Sequence, residues 1–420
     1  MSDIRRWASG ELFPTDAPLA PSEMIGRTDD VDRMALALTG ATNLVVAGPR
    51  RTGKTTVCDA ALDVCRGEGC YVVAIDLWKL PDAAALAEAI TIQALANRPL
   101  LARAIEGAAR TGRALWDALS EAATIRAHQD LTGGAIDLQL TLVPQRARKE
   151  PARALRSALE LLDRIAVADD VPRMVVSFDE FQEIASGLYG DVDVVTRQIR
   201  ATLQRSRRVS TVFAGSIEHL MRELFAPGER ALSQFGAFFE LSPIVAEQWR
   251  DGVRARVALD HTTITDSALQ LLIDTGEGHA RSTMLLAQQS HAIAVRDLVH
   301  EIDDAIVREA LMAGMRGERL KHDQTLREIR TLGRNAQTLA ERVAAGAKLY
   351  EGIQPNQAAR TLSRLRDTGF VEQGDRRGEW RVTDPLLRRY LIDLTSASMT
   401  IHKAGGASAR MRGGGTSETA

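Results

Sequence analysis

Lysine is almost missing from this chain: of 53 basic residues only six are lysine, Lys54, Lys79, Lys149, Lys321, Lys348 and Lys403. Arginine makes up the rest beside abundant alanine, a bias of base composition, so arginine richness alone is no sign of nucleic acid and each lysine's place carries more information. Cysteine is scarce as well. Cys58, Cys65 and Cys70 are odd in number, lie close together and have no histidine at metal-ligand spacing, which argues against a disulfide framework or a zinc site and predicts buried free thiols. No apolar run approaches the roughly eighteen residues of a spanning helix, and the start MSDIRRWASGELFP lacks the apolar core of a signal peptide, so a cytoplasmic chain without a membrane partner is expected. A formal net charge of −2 with 45% hydrophobic and 26% charged residues excludes a disordered or fibrous chain.

What is present is enough chain for two or three domains, since 420 residues exceed the size at which one core stops growing. Asn43 to Gly48, NLVVAG, reads as a buried strand ended by glycine, Thr55 to Cys65 as a helix, and Tyr71 to Asp76 as a second buried strand, together one βαβ unit. Further strands are predicted over Arg173 to Glu180, Val209 to Ser216 and Phe238 to Pro243, the last closing the sheet, with helices over about 151–167 and 194–207. These elements predict a doubly wound parallel α/β domain over 1–243, with a helical insert about 83–150 in which GGAIDLQLTLVP, Gly133 to Pro144, is an extended interruption. After Pro243 the strand signals cease, and a small helical domain is expected over 244–318, a third domain over 319–395 and a disordered Gly- and Ser-rich tail over 396–420.

The segment GPRRTGKTT, Gly48 to Thr56, fits the phosphate-binding loop G-x-x-x-x-G-K-[ST]. Its glycines let Gly48, Pro49, Arg50, Arg51, Thr52 and Gly53 bend so that successive N–H groups point at phosphate oxygens, and the following helix adds its positive N-terminus. Lys54 would neutralise the β- and γ-phosphates of ATP, Thr55 would complete a Mg²⁺ shell, and Thr56 extends the cradle. A chance match is the competing reading, and the motif's place between a buried strand and a helix argues against it. The other half of such a site is an acid at the end of an apolar strand. RMVVSFDEFQE supplies Asp179 on the metal side and Glu180 where a general base orients water. An acidic pair alone is also an ordinary helix start, so the pair gains meaning from the loop.

The combination of IGR at Ile25 to Arg27, GPRRTGKTT and FDEFQE resembles the AAA+-related and STAND ATPases, particularly archaeal-type ATPases with a C-terminal winged helix, over about residues 20–393. The resemblance implies a P-loop NTPase fold with a helical lid, ATPase activity, ATP and Mg²⁺, and a homo-oligomer among the partners. It also implies roles: Ser216 as the residue sensing the γ-phosphate, with a helix N-cap as the alternative; Arg230 acting on a neighbouring subunit's nucleotide, with a solvated surface arginine as the alternative; Arg281 as a cationic sensor in TGEGHARSTMLLAQ, although many members have proline where Ala280 stands; Ile25 and Arg27 near the adenine.

From Gly352 to Leu391 the pattern helix, strand, turn at Gly374 to Gly378 and strand describes a winged helix-turn-helix. If it binds DNA, Gln357, Arg360, Thr361 and Arg364 would face the major groove, with Arg376 and Arg377 on the wing. Between Gln354 and Tyr390 eight arginines stand against five acids, a modest net of +3. Packing on the ATPase core or binding protein is the equal alternative. Three functions follow: a nucleotide-driven switch or motor acting on DNA or a partner, a nucleotide-dependent protein-interaction regulator with little turnover and no DNA, and a small-molecule kinase, which the Asp-Glu pair and the extra domains disfavour.

Overall fold

The computed structural model describes residues 7–15, 19–20, 23–48, 51–111, 142, 144–228, 230–241, 244–374, 376 and 378–394. Pro49, Arg50, Arg377, the expected tail and most of the expected extended stretch 133–144 lie outside them, and within that stretch Leu142 and Pro144 are helical. The chain divides into two compact units, Pro18–Ser242 and Met1–Ala17 with Pro243–Ala420. The first residues thus belong with the C-terminal unit, a correction to their expected place in the α/β domain.

In the unit Pro18–Ser242 the elements run α1 Thr28–Thr39, β1 Leu44–Ala47, α2 Lys54–Gly67, β2 Tyr71–Asp76, α3 Ala83–Ala96, α4 Pro99–Thr111, α5 Pro144–Lys149, α6 Pro151–Ala168, β3 Met174–Asp179, α7 Val192–Leu203, β4 Val209–Gly215, α8 Glu218–Phe225 and β5 Ala237–Phe238. The strands form one parallel sheet in the order β2-β3-β4-β1-β5. Both faces are covered, which is why the strands read as unbroken apolar runs. Alternation then sorts them: Val175, Val212, Ala214, Leu44 and Val46 meet α1 and α2 on one face, while Met174, Val176, Phe178, Phe213 and Val45 meet α3, α6, α7 and α8 on the other. Helix α1 buries Val31, Met34, Ala35 and Leu38, a single helical stripe. Helices α3 and α6 carry the second face, so the expected insert begins with an element of the core. Strand β5 is shorter than the predicted Phe238 to Pro243 and starts one residue earlier, pairing Ala237 with Leu44 and Phe238 with Val45.

The other unit contains α9 Ala246–Ala258, β6 Thr263–Ile264, α10 Asp266–Gly276, α11 Ala280–Arg296, β7 Glu301–Ile302 and α12 Asp304–Gly317, with β6 and β7 paired in parallel. The one-turn helix Ser9–Leu12 packs here: Ser9 Oγ lies 2.8 Å from His291 Nδ1, and His291 Nε2 lies 3.1 Å from Asp260 Oδ2. Then follow α13 Arg319–Thr331, α14 Ala336–Ala345, α15 Pro355–Asp367 and the antiparallel pair β8 Val371–Gln373 and β9 Trp380–Val382, and a last helix over 385–394. Leu326, Ile329, Leu339, Leu362, Leu365, Val371 and Val382 share one core, making the helices and hairpin a winged helix-turn-helix. Pro355 opens α15 at a position where its missing N–H costs nothing.

Candidate nucleotide site

The site stands at the C-terminal ends of β1, β3 and β4, where parallel α/β sheets place their ligand crevices. Chain reversal after β1 uses two residues in the left-handed region, Arg51 at φ 67° and Gly53 at φ 92°. Glycine adopts that region freely, whereas arginine there stores strain of the kind found at working loops. Gly53 caps α2, so the helix's unpaired N–H groups and its positive end face the loop. Lys54 is buried and its Nζ donates to Gly48 O at 2.9 Å, closing the loop across its mouth.

Thr55 Oγ1 donates to Asp179 Oδ2 at 2.8 Å. Burial pushes the Asp179 carboxyl above the usual carboxylate range, against the opposing hydrogen bonds from Thr55 and from the Glu180 N–H at 2.9 Å. A hydroxyl and a carboxylate held together are hard oxygen donors of the kind Mg²⁺ takes alongside phosphate oxygens and water, so the donor set fits that ion. Among the described residues no group of three or more His, Cys, Asp or Glu could hold a metal ion.

Glu180 has φ 49°, an uncommon backbone for a residue with a side chain, and it ends β3 abruptly before the short 3-10 helix Phe181–Ala185. Its Oε2 accepts from Ser216 Oγ at 2.6 Å and from Gln182 Nε2. Gln182 also accepts the Ser216 N–H at Oε1, 3.2 Å away. The sequence analysis names Glu180 and Ser216 but not Gln182, which touches both and stands in the motif FDEFQE. Only the pairing of β3 with β4 reveals the contact.

Arg27 is buried. Its Nη1 pairs with Asp30 Oδ2 at 2.8 Å and its Nη2 donates to Thr52 O at 3.2 Å, so it braces the phosphate loop from behind. Ile25 is buried beside it. Thr56 is half-buried in the first turn of α2. Arg230 is partly exposed and paired with Asp193 at 3.3 Å and with Glu223. Arg281 belongs to the other unit, where Glu318 accepts from its Nη1 at 2.9 Å and its Nη2 at 3.2 Å.

All three cysteines are buried and free, as expected, and burial pushes their thiols up, Cys65 to about 12. In the winged helix, Gln357, Arg360 and Arg364 share the exposed face of α15 and Arg376 is exposed on the wing. Thr361 is not groove-facing: it is 7% exposed and points inward with Ala358, Leu362 and Leu365. No helix among the described residues is long and apolar enough to cross a membrane.

No protein-family model matches the sequence, and no curated protein matches it. The structure is similar to the Walker-type ATPase of Pyrococcus abyssi, with 13% identity over 90% of this chain and 99% of that one and a TM-score of 0.65. It is also similar to the ORC2 protein of Aeropyrum pernix in its ADPNP-ADP complexes, with 16% identity over 94% of this chain and 98% of that one and a TM-score of 0.54. With its five-stranded parallel sheet, following helices and C-terminal winged helix, this chain shares the fold of those two proteins.

Proposed function

We propose that the chain binds ATP with Mg²⁺ and hydrolyses it, as a switch whose nucleotide state is used by the C-terminal winged helix. The observation that carries this reading is the contact of Thr55 with Asp179 at 2.8 Å, with Glu180 next in the chain. Lys54 and the loop N–H groups would hold the phosphates; Thr55 and Asp179 would hold the metal, which supplies charge neutralisation on the transferring phosphoryl group. Glu180 orients the attacking water, Ser216 meets the terminal phosphate, and Arg230 acts from a second copy in a homo-oligomer. Nucleotide as ligand is further supported by the similar ORC2 protein, whose structure is that of ADPNP-ADP complexes.

Steady-state ATP turnover of the full chain and of Glu180→Gln tests this. Turnover is expected to fall at least about 100-fold with ATP binding retained, the size of losing a base that acts in the transition state. An unaltered rate would remove Glu180 from its role.

A second reading, a nucleotide-dependent regulator of protein contacts with little turnover, is favoured by the two hydrogen bonds that Glu180 Oε2 accepts from Ser216 and Gln182, which tie the carboxylate down. The wild-type rate separates the two. Contact with DNA is the finer part of the proposal, supported by the exposed row Gln357, Arg360 and Arg364 with Arg376 on the wing.

A further inference from the structure

Gln182 is 3% exposed, and its carboxamide has one chemically consistent orientation. The Ser216 N–H is a donor only, so the atom facing it at 3.2 Å must be Oε1. Nε2 then faces Glu180 Oε2, to which it donates, and lies 3.4 Å from Ser216 Oγ. The amide therefore spans the ends of β3 and β4 with every polar atom directed at one of the two residues proposed to act on the terminal phosphate. An independent feature secures the span. β4 ends in Gly215, and a Cβ there would lie 2.7 Å from Gln182 Oε1 and would collide with Met221 Sδ, so the strand clears the space that the glutamine occupies.

We propose that Gln182 is a positioning residue for Glu180: its carboxamide fixes the Glu180 carboxylate to the Ser216 segment, so that base and phosphate-sensing residue move as one unit. The inference rests on the hydrolytic reading of Glu180. A carboxylate with one oxygen anchored has a fixed rotamer, and among the described residues Glu180 Oε1 has no hydrogen-bond partner, which leaves that oxygen for water. Placement of a reacting group within a few tenths of an ångström is worth large rate factors, so loosening this anchor acts on the chemical step and not on ground-state binding.

The experiment is steady-state Mg²⁺-ATP turnover of the full chain in five forms: wild type, Gln182→Ala, Gln182→Glu, Glu180→Gln and the double variant Glu180→Gln/Gln182→Ala. Gln182→Ala is expected to lower kcat about tenfold or more with KM within about twofold. Gln182→Glu fills the same space and still accepts the Ser216 N–H, but once ionised it cannot donate to Glu180; assayed at alkaline pH, where the new carboxyl is ionised, its kcat is expected to stay as low as that of Gln182→Ala. The double variant is expected to match Glu180→Gln alone, because both changes act through one carboxylate. Wild-type kcat in Gln182→Glu, or losses that simply add in the double variant, would mean that Gln182 only fills space and would overturn the proposal. If Gln182→Ala does not fold, Gln182→Glu decides alone by the same criterion. A wild-type rate in Glu180→Gln overturns the hydrolytic reading and this inference with it, whereas an inactive Glu180→Gln beside fully active Gln182 variants overturns this inference alone.

Discussion

Thr55 Oγ1 and Asp179 Oδ2 stand 2.8 Å apart, joining the first turn of α2 to the end of β3. The two residues proposed for the metal thus come from different elements, and the carboxylate they share is held out of water. Burial raises the Asp179 carboxyl in the folded chain. Stability from its proton is full below the unfolded value of about 3.9 and is lost as pH rises through the folded value, so at neutral pH the ionised group weighs against the fold. Asp179→Asn keeps the shape and an acceptor for Thr55 while removing the charge. The nucleotide-free variant is therefore expected to melt a few degrees above wild type at pH 7, and to lose the further stabilisation that Mg²⁺ adds to ATP. Thermal melts with ATP, with and without Mg²⁺, check both halves; an undiminished Mg²⁺ effect would remove Asp179 from the metal site.

Arg27 braces the phosphate loop through Thr52 O, and Asp30 orients it. Arg27→Ala leaves Asp30, 8% exposed, with Arg33 as its ion-pair partner at 2.6 Å. Removing one member of a buried pair costs about 3 kcal/mol where the other is left unpaired; Arg33 offsets part of that for Asp30, and a further part returns when the Asp30 charge is removed too. Denaturant unfolding is expected to show Arg27→Ala well below wild type and Arg27→Ala/Asp30→Ala partly recovered. ATP affinity should fall in both, since neither retains the brace on Thr52; recovery of affinity in the double variant would mean the loop does not depend on Arg27.

The placement of the phosphate loop, Asp179, Glu180 and Ser216 at the ends of short apolar strands is legible in the sequence, because both the strand and its interruption are local signals. Gln182 is not, because a glutamine two residues past an acid carries no spacing signal and gains its meaning only from the neighbouring strand. Thr361 misleads for a different reason. From Ala358 the helical steps of three, four and seven fall on Thr361, Leu362 and Leu365, so periodicity alone places the threonine inside, and its polarity obscures that. Adjacency in sequence assigns the chain's first residues to the α/β domain, while their actual partners, Asp260 and His291, are hundreds of positions away, and no local pattern marks such a contact.

Glu318 lies between α12 and α13, buried, and holds Arg281 and Lys321 at 2.9 Å and 3.0 Å. Burial alone would raise its carboxyl, but the hydrogen bonds and charges of Arg281 and Lys321 hold it down at about 2. A depressed carboxyl contributes stability that is present above its unfolded value of about 4.3 and is lost as pH falls through the folded value. Glu318→Gln is expected to cost about 2 to 3 kcal/mol at pH 7 by this linkage, and the gap between variant and wild type should close between about pH 4 and pH 2. Paired unfolding curves across that window measure it. A gap that persists at the acid end would assign the loss to packing and not to charge.

The exposed face of α15 makes the DNA reading testable through salt. Arg360 and Arg364 are exposed one helical turn apart, and Arg364 also donates to Leu332 O at 3.0 Å, which steadies its direction. If this face lies on duplex DNA, each guanidinium that meets a phosphate displaces condensed counterions, and its removal lowers the slope of log affinity against log salt by about one. Arg360→Ala and Arg364→Ala are therefore expected to weaken binding to a random-sequence duplex with shallower salt slopes. Arg376→Ala on the wing should behave likewise, since wings meet backbone. Thr361→Ala provides the internal control: an inward-facing side chain removed from the core lowers the melting temperature and leaves the salt slope alone. Unchanged affinity in both Arg360→Ala and Arg364→Ala would turn the winged helix toward a protein partner, because an arginine face that meets no phosphate has no counterions to release.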